Sequence, residues 1–281
     1  MTSEHKKDVL REWRESAPYW AKHSDIVRLM FAPITQALTE AGGINGGQKV
    51  LDVAGGPGEP SITISSLVGD SGSVIFTDAV AEMVATARAQ ARQQGRMNIE
   101  FNQCVGESLP FLSDSFDAVV CRLGVMLFPD PVAAIHEALR VVRSRGSVSY
   151  AVWRDRDSNP FFHMVMDVVS RYIESPPEDP NAPGAFRFAG HGKLAQLLSD
   201  AGAIDVTEHL LDFEINGPLS PKGFWSLRTE LSDTLKAKVA QFSAEQLLAA
   251  EREVEEAVRP FFVSGQMKFP AKVLIVTGVK P

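Results

Sequence analysis

With 281 residues, 44% of them hydrophobic, the chain can bury a full α/β core, as one domain with insertions or as a domain plus a cap. A net charge of −7 argues against a nucleic-acid phosphate backbone as partner, since such binders gather Lys and Arg on one face, and favours a small molecule. No apolar run approaches the roughly 20 residues that span a bilayer, and the N-terminus Met-Thr-Ser-Glu-His-Lys-Lys-Asp lacks a signal-peptide core, so a cytoplasmic protein without a membrane span is expected. Cys104 and Cys121 have no metal-ligand spacing and fall in apolar, strand-like segments, which suits reduced thiols and predicts no metal site.

In chain order, residues 5–15 and about 25–41 read as helices, the second with an apolar stripe of Ile26, Leu29, Met30, Ile34, Ala37 and Leu38. Between them Ser16 to His23 reads as a polar, aromatic joint. Its Tyr19 and Trp20 either line a pocket or pin the N-terminal helices to the core, since both residue types serve stacking and packing. Gly42, Gly43, Gly46 and Gly47 stop the second helix.

Val50 to Val53 reads as a buried parallel strand, and Ala54-Gly55-Gly56-Pro57-Gly58 after it is a tight small-residue turn that lets backbone approach a ligand. Pro60 sits where a helix (about 60–68) can begin, so the turn is expected to aim unpaired amide N–H groups at a carboxylate or phosphate. A dinucleotide fingerprint wants a third glycine where this chain has Ser61, which lowers a nicotinamide reading. The next strand, Ser73 to Asp78, ends in an acid. Beyond the carboxyl end of a parallel strand that carboxylate can grip a ribose diol, although it also suits the start of the helix predicted over 81–94. A third strand follows at 98–103, and residues 113–122 enter a fourth.

Two motifs carry a family resemblance. Asp52 to Gly58 resembles the acid-x-Gly-x-Gly-x-Gly opening of class I S-adenosylmethionine (SAM) methyltransferases, with Ala54 replacing the first glycine. Gly106-Glu107-x-Leu109-Pro110-Phe111 with Ser115-Phe116-Asp117 is similar to the adenine-side loop and following strand of the ubiquinone/menaquinone-biosynthesis, type 11 group. The resemblance is close over about 48–154. It implies a Rossmann-like, seven-stranded, mostly parallel sheet with helices on both faces and helical cap insertions. It implies SAM as cofactor and S-adenosylhomocysteine as product, held by Asp52, Ala54, Gly55, Gly56, Pro57, Gly58, Asp78, Ala79, Met83, Val105, Gly106, Glu107 and Arg122. Val105 stands where members commonly carry an acid for the adenine amino group, which points to backbone recognition of the base.

Asp130-Pro131 is a clean helix start, and Val132, Ile135, Leu139 and Val142 form its predicted buried stripe, with His136 facing solvent. A fifth strand runs from Ser147 to Trp153 after a Ser144-Arg145-Gly146 turn. Beyond it, a helix from Asn159 to about Glu174, a Pro-rich lid over 175–190, a core helix from His191 to Ala203 and a strand from Ile204 to Asn216 are expected. Two helices over 221–262 and a last strand at 271–278 complete the chain. The expected division is 1–45 as part of the cap, 46–154 as the SAM-binding core, and 155–281 as the rest of the core, with substrate-cap insertions at about 155–190 and 218–265. Tyr19, Trp20, Met126, Phe162, Arg187 and Trp225 are the candidate acceptor contacts, pointing to an apolar or aromatic small molecule. His163, then Tyr19 and His23, are the candidate general bases. The alternatives are a SAM-binding protein of the same fold that does not methylate or only regulates, and a nicotinamide oxidoreductase using Asp78. A monomer or a homodimer is expected.

Overall fold

The computed structural model describes residues 3–173, 179 and 181–281. Its strands are β1 (Lys49–Val53), β2 (Ser73–Asp78), β3 (Ile99–Gln103), β4 (Phe116–Arg122), β5 (Val142–Trp153), β6 (Ile204–Gly217), β7 (Phe262–Val263) and β8 (Gln266–Val279). They form one sheet in the order β3-β2-β1-β4-β5-β8-β6, and the two-residue β7 turns back onto β8. β1 to β5 pair in parallel, whereas β8 is antiparallel to both β5 and β6. The seven-stranded, mostly parallel sheet is therefore present, with β7 as an addition.

Apolar residues on both sides of these strands need cover on both faces. Gly42, at the end of α3 (Ala32–Ala41), lies against Ser149, while Leu198 of α8 (Lys193–Asp200) lies against Gly278. Ser149 pairs with Thr277 and Val148 with Gly278, so these neighbouring positions point to opposite faces and each face carries a helix. The remaining core helices are α4 (Ser61–Val68), α5 (Ala81–Gln93) and α6 (Pro131–Val141). Asp130 caps α6 by accepting from the Ala133 N–H at 3.0 Å. Ile135 and Leu139 of its stripe are buried and His136 is exposed, but Val132 is 43% exposed because it falls on the solvent side of the first turn.

Several boundaries differ from expectation. The joint at 16–23 is largely helix: α1 (Ser3–Lys22) carries Pro18 in its interior, followed by α2 (Ser24–Met30). Tertiary packing outweighs the proline, because Ala17, Trp13 and Trp20 close over Val80 and Met83 at the start of α5. The Ser144-Arg145-Gly146 turn lies inside β5, where Arg145 takes φ +66° and the register against β4 shifts. The helix expected to reach Glu174 ends earlier, as α7 (Pro160–Val169), and 221–262 holds three helices, α9 (Pro221–Leu231), α10 (Asp233–Val239) and α11 (Ala244–Val258). Residues 175–178 and 180 of the expected lid lie outside the described residues.

Candidate functional site

The sheet order reverses between β1 and β4, and ligands of open α/β sheets bind outside the carboxyl ends of strands at such a switch point. A cleft with about 250 Å³ of free space opens there. Its floor is Ala54 to Pro57 and Glu59 after β1, Asp78 to Val80 after β2, Cys104 to Glu107 after β3, and Arg122 to Gly124 with Leu127 to Pro129 after β4. Leu10, Trp13 and Trp20 of α1, Met83 of α5, Val27 of α2 and Phe31 close the other side.

The turn after β1 is pinned from both ends. The Gly55 N–H donates to the Thr77 carbonyl at 3.0 Å, and the Gly58 N–H donates to the Gly55 carbonyl at 3.1 Å. A Cβ at Gly55 would collide with the Phe76 ring and stand 2.7 Å from Asp52 Oδ2. Ala54, where the family resemblance has glycine, takes φ +59°, so this position does require the left-handed region and alanine occupies it under strain.

Asp78 is the polar centre of the cleft. Oδ2 accepts from the Gly56 N–H at 3.0 Å and Oδ1 from the Val80 N–H at 2.9 Å, so the acid ties the glycine turn to the start of α5. A carboxylate offers about four acceptor positions, and these two bonds leave the rest for a ligand. Burial raises its pKa to about 6, against the lowering effect of the Val80, Gly56 and Ala79 N–H groups.

Asp52 is placed differently from its expected cofactor role. It is fully buried outside the cleft wall, and Oδ2 accepts from the Ser61 N–H at 3.1 Å and the Ser61 hydroxyl at 2.7 Å. Burial raises its pKa to about 7. The Thr63 N–H donates to Glu59 Oε2 at 3.3 Å and the Ile62 N–H to the Gly58 carbonyl at 3.0 Å. The leading amides of α4 are therefore taken by the chain's own oxygens rather than aimed at a ligand, which corrects the reading from Pro60.

Glu59 and Arg122 share one end of the cleft. Arg122 donates to Thr35 Oγ1 at 2.8 Å and to the Glu59 backbone carbonyl at 3.1 Å, with Asp52 and Glu59 as its nearby acids. Glu59 is 7% exposed, and among the described residues its side chain accepts from the Thr63 N–H alone. At the other end Val105 is half-exposed, Gly106 packs under the Phe128 ring, and Glu107 Oε1 accepts from the Asp130 N–H at 3.3 Å.

Of the expected cofactor contacts, Ala54, Gly55, Gly56, Pro57, Asp78, Ala79, Met83, Val105, Gly106, Glu107 and Arg122 line the cleft, whereas Asp52 and Gly58 do not. Gly58, at φ +129°, instead lets α4 and α5 approach, with Ile62 and Ala87 against it. Of the expected acceptor contacts only Trp20 lines the cleft. Phe162 packs on Trp153 at 4.5 Å between ring centroids, Met126 and Trp225 are buried elsewhere, Arg187 donates to the Phe128 carbonyl at 2.6 Å, and Tyr19 lies under the Lys236 ammonium. The candidate bases are outside it too. His163 Nδ1 pairs with Asp167 Oδ2 at 2.7 Å and His23 Nε2 with Glu230 Oε2 at 2.6 Å, and among the described residues no histidine lines the cleft. Sequence reasoning missed Glu59, Trp13, Phe31 and Phe128. Trp13 and Trp20 stand seven residues apart, two helical turns, a signal hidden by reading Ser16 to His23 as a joint rather than as helix.

A Rossmann-like sheet closed by an antiparallel strand, with its cleft at the β1/β4 switch, defines the class I methyltransferase architecture. The YcgJ protein of Bacillus subtilis shares it over 88% of this chain and 97% of its own, at 20% identity and a TM-score of 0.57. Phosphoethanolamine N-methyltransferase 2 of Haemonchus contortus does so over 96% of this chain and 60% of its own, at 14% identity and a TM-score of 0.56. The ubiE/COQ5 methyltransferase family matches residues 26–173, just over half of the chain, and the protein belongs to that family. An uncharacterized protein of Mycobacterium tuberculosis is 33% identical over 171 residues, 61% of this chain and 59% of that protein. The ubiquinone/menaquinone biosynthesis C-methyltransferase UbiE of Hahella chejuensis is 37% identical over 129 residues, 46% of this chain and 51% of its own. The chain thus spans between half and three-fifths of the length of these curated relatives.

Proposed function

We propose that the cleft binds S-adenosylmethionine and that the protein transfers its methyl group to a small, apolar or aromatic acceptor, leaving S-adenosylhomocysteine. The observation that carries this reading is Asp78, a carboxylate fixed by two backbone N–H donors at the mouth of β2 with acceptor positions to spare for a ribose diol. Glu59 and Arg122, opposite charges that share one end of the cleft, suit the ammonium and carboxylate of an amino-acid tail. Val105 to Glu107 offer backbone groups to the base. The Haemonchus contortus enzyme was crystallised with S-adenosylhomocysteine and with S-adenosyl-L-methionine, which supports the same ligand on this fold.

When bound, a sulfonium supplies a methyl group that is already activated. The chain's part is to hold it, align an acceptor in line with it and exclude water, and the rings of Trp13, Trp20, Phe31 and Phe128 form an apolar wall for that purpose. Among the described residues no histidine lines the wall, which suits an acceptor atom that attacks without a protein imidazole, since a base is required only where the nucleophile must lose a proton. The same observation favours, as a second reading, a SAM-binding protein that does not methylate.

Calorimetric titration with S-adenosylhomocysteine, 5′-methylthioadenosine and NAD tests the ligand. S-adenosylhomocysteine should bind, and Glu59→Gln should weaken it while sparing methylthioadenosine, which lacks the amino-acid tail. NAD binding with no response to either adenosyl compound would overturn the reading. Formation of S-adenosylhomocysteine from SAM with an acceptor panel separates methyl transfer from binding alone.

A further inference from the structure

Among the described residues, Arg228 of α9 is a cation without an acid. It is 8% exposed, it makes no ion pair among the described residues, and its Nε is buried with no hydrogen-bond partner. Its Nη2 makes a single long contact, 3.5 Å, to the Phe162 carbonyl. The guanidinium carbon stands 5.1 Å from the centre of the Phe161 ring and 4.9 Å from that of Phe162. Cation–π contacts of this kind return less than an uncompensated buried charge costs. Burial alone lowers its pKa to about 10. The nearest acid on the same helix is not available, since Glu230 is held by Lys22 at 2.7 Å and His23 at 2.6 Å.

The surroundings connect this cation to the cleft. Phe162 contacts Trp153 at 4.5 Å, Trp153 contacts Phe31 at 5.5 Å, and Phe31 lines the cleft beside Trp20 and Arg122. The Nε and Nη2 positions form one edge of the guanidinium fork, and on that edge the Phe162 contact alone is made. Two parallel N–H donors on one planar edge match the two oxygens of a carboxylate better than a single-point anion.

We propose that Arg228 anchors the carboxylate of the methyl acceptor, whose aromatic or apolar body lies along the Phe162–Trp153–Phe31 rings toward the cleft. This rests on the proposed methyl transfer for the word acceptor, but the site stands on its own residues. The acceptor class is then an aromatic or apolar acid, with the methylated atom at the end remote from its carboxylate.

Calorimetric titration of the whole chain, with S-adenosylhomocysteine present and absent, against 2-naphthoate and its neutral isostere 2-naphthamide tests the site. The wild type should bind naphthoate at least about tenfold more tightly than the amide, as a charge-assisted bidentate pair requires. Arg228→Met and Arg228→Gln should abolish that preference while leaving S-adenosylhomocysteine affinity unchanged, and Arg228→Lys should retain only part of it. If Arg228 only fills space, the Met variant keeps its thermal midpoint or gains stability and ligand selectivity does not move. Equal binding of acid and amide by the wild type, no binding of either, or a preference that survives in the Met variant overturns the proposal. Failure of S-adenosylhomocysteine to bind would instead overturn the cofactor reading, whatever the naphthoate result.

Discussion

On the β1–β2 side of the cleft the surface is backbone, small residues and one acid, whereas on the cap side it is the bulky rings of Trp13, Trp20 and Phe31, brought in by the packing of the N-terminal helices. Asp78 reaches the Gly56 N–H across 22 residues through one strand–helix–strand step. Phe161 by contrast packs edge-to-face against Phe224 and Phe269, and Trp20 meets the cleft because α1 packs on both α5 and α9. The first region is a local motif whose geometry its own residues dictate; the second is an outcome of packing. Mutations should therefore separate them, cap changes acting on stability and turn changes acting on ligand affinity as well.

The largest separation is expected at Phe224, fully buried and stacked on Phe269 at 4.9 Å. Phe224→Ala should cost about 3–5 kcal/mol in urea denaturation while S-adenosylhomocysteine affinity below the transition is kept. A parallel loss of affinity would mean that cap and cleft are one cooperative unit. Gly55→Ala is the converse. Its new Cβ must push Phe76 and Asp52 aside, costing about 1–3 kcal/mol, and moves the turn that Asp78 holds, so affinity should fall too; unchanged affinity would break the contrast.

Asp52 gives a pH-dependent effect. Burial holds its folded pKa at about 7, above the ordinary carboxylate value of 3.8, so the native state holds the proton more tightly than the unfolded chain. Its stabilising contribution is complete below about pH 4 and is lost as pH rises through about 7. Asp52→Asn should flatten the stability profile between about pH 4 and 7, with little change in ligand affinity because the side chain faces α4. A profile that keeps its slope would show that another group titrates. Smallest of all is His163→Gln, which removes a partly exposed pair with Asp167 and should shift stability by less than about 1 kcal/mol. SAM turnover should be unaffected, and a large loss of turnover would restore His163 as a base.

The same contrast explains what was legible in the sequence. The strand–turn–helix at 50–68, the acid closing β2 and the Asp130 cap are set by neighbours a few residues away, and period, proline and glycine placement reveal them. Glycine spacing did not reveal that Ala54 must sit at positive φ, nor that Asp52 faces inward to hold Ser61, since both depend on how β1 lies between β2 and β4. On the cap side, Phe162, Trp225 and Met126 read correctly as apolar, but hydrophobicity shows that a residue is buried without showing against what, and none of the three lines the cleft. Arg228 carried no sequence signal, since its distinction is the absence of an acid beside it among the described residues.

The most direct measurement is the affinity of Asp78→Asn for S-adenosylhomocysteine and 5′-methylthioadenosine between pH 5 and 8. In the wild type both should weaken as the pH falls below about 6, because hydroxyl donors need the ionised acid. The variant should bind both about 10- to 100-fold more weakly at neutral pH, with no such pH dependence. Undiminished binding in the variant would contradict the placement of the ribose at Asp78 and, with it, the cofactor site.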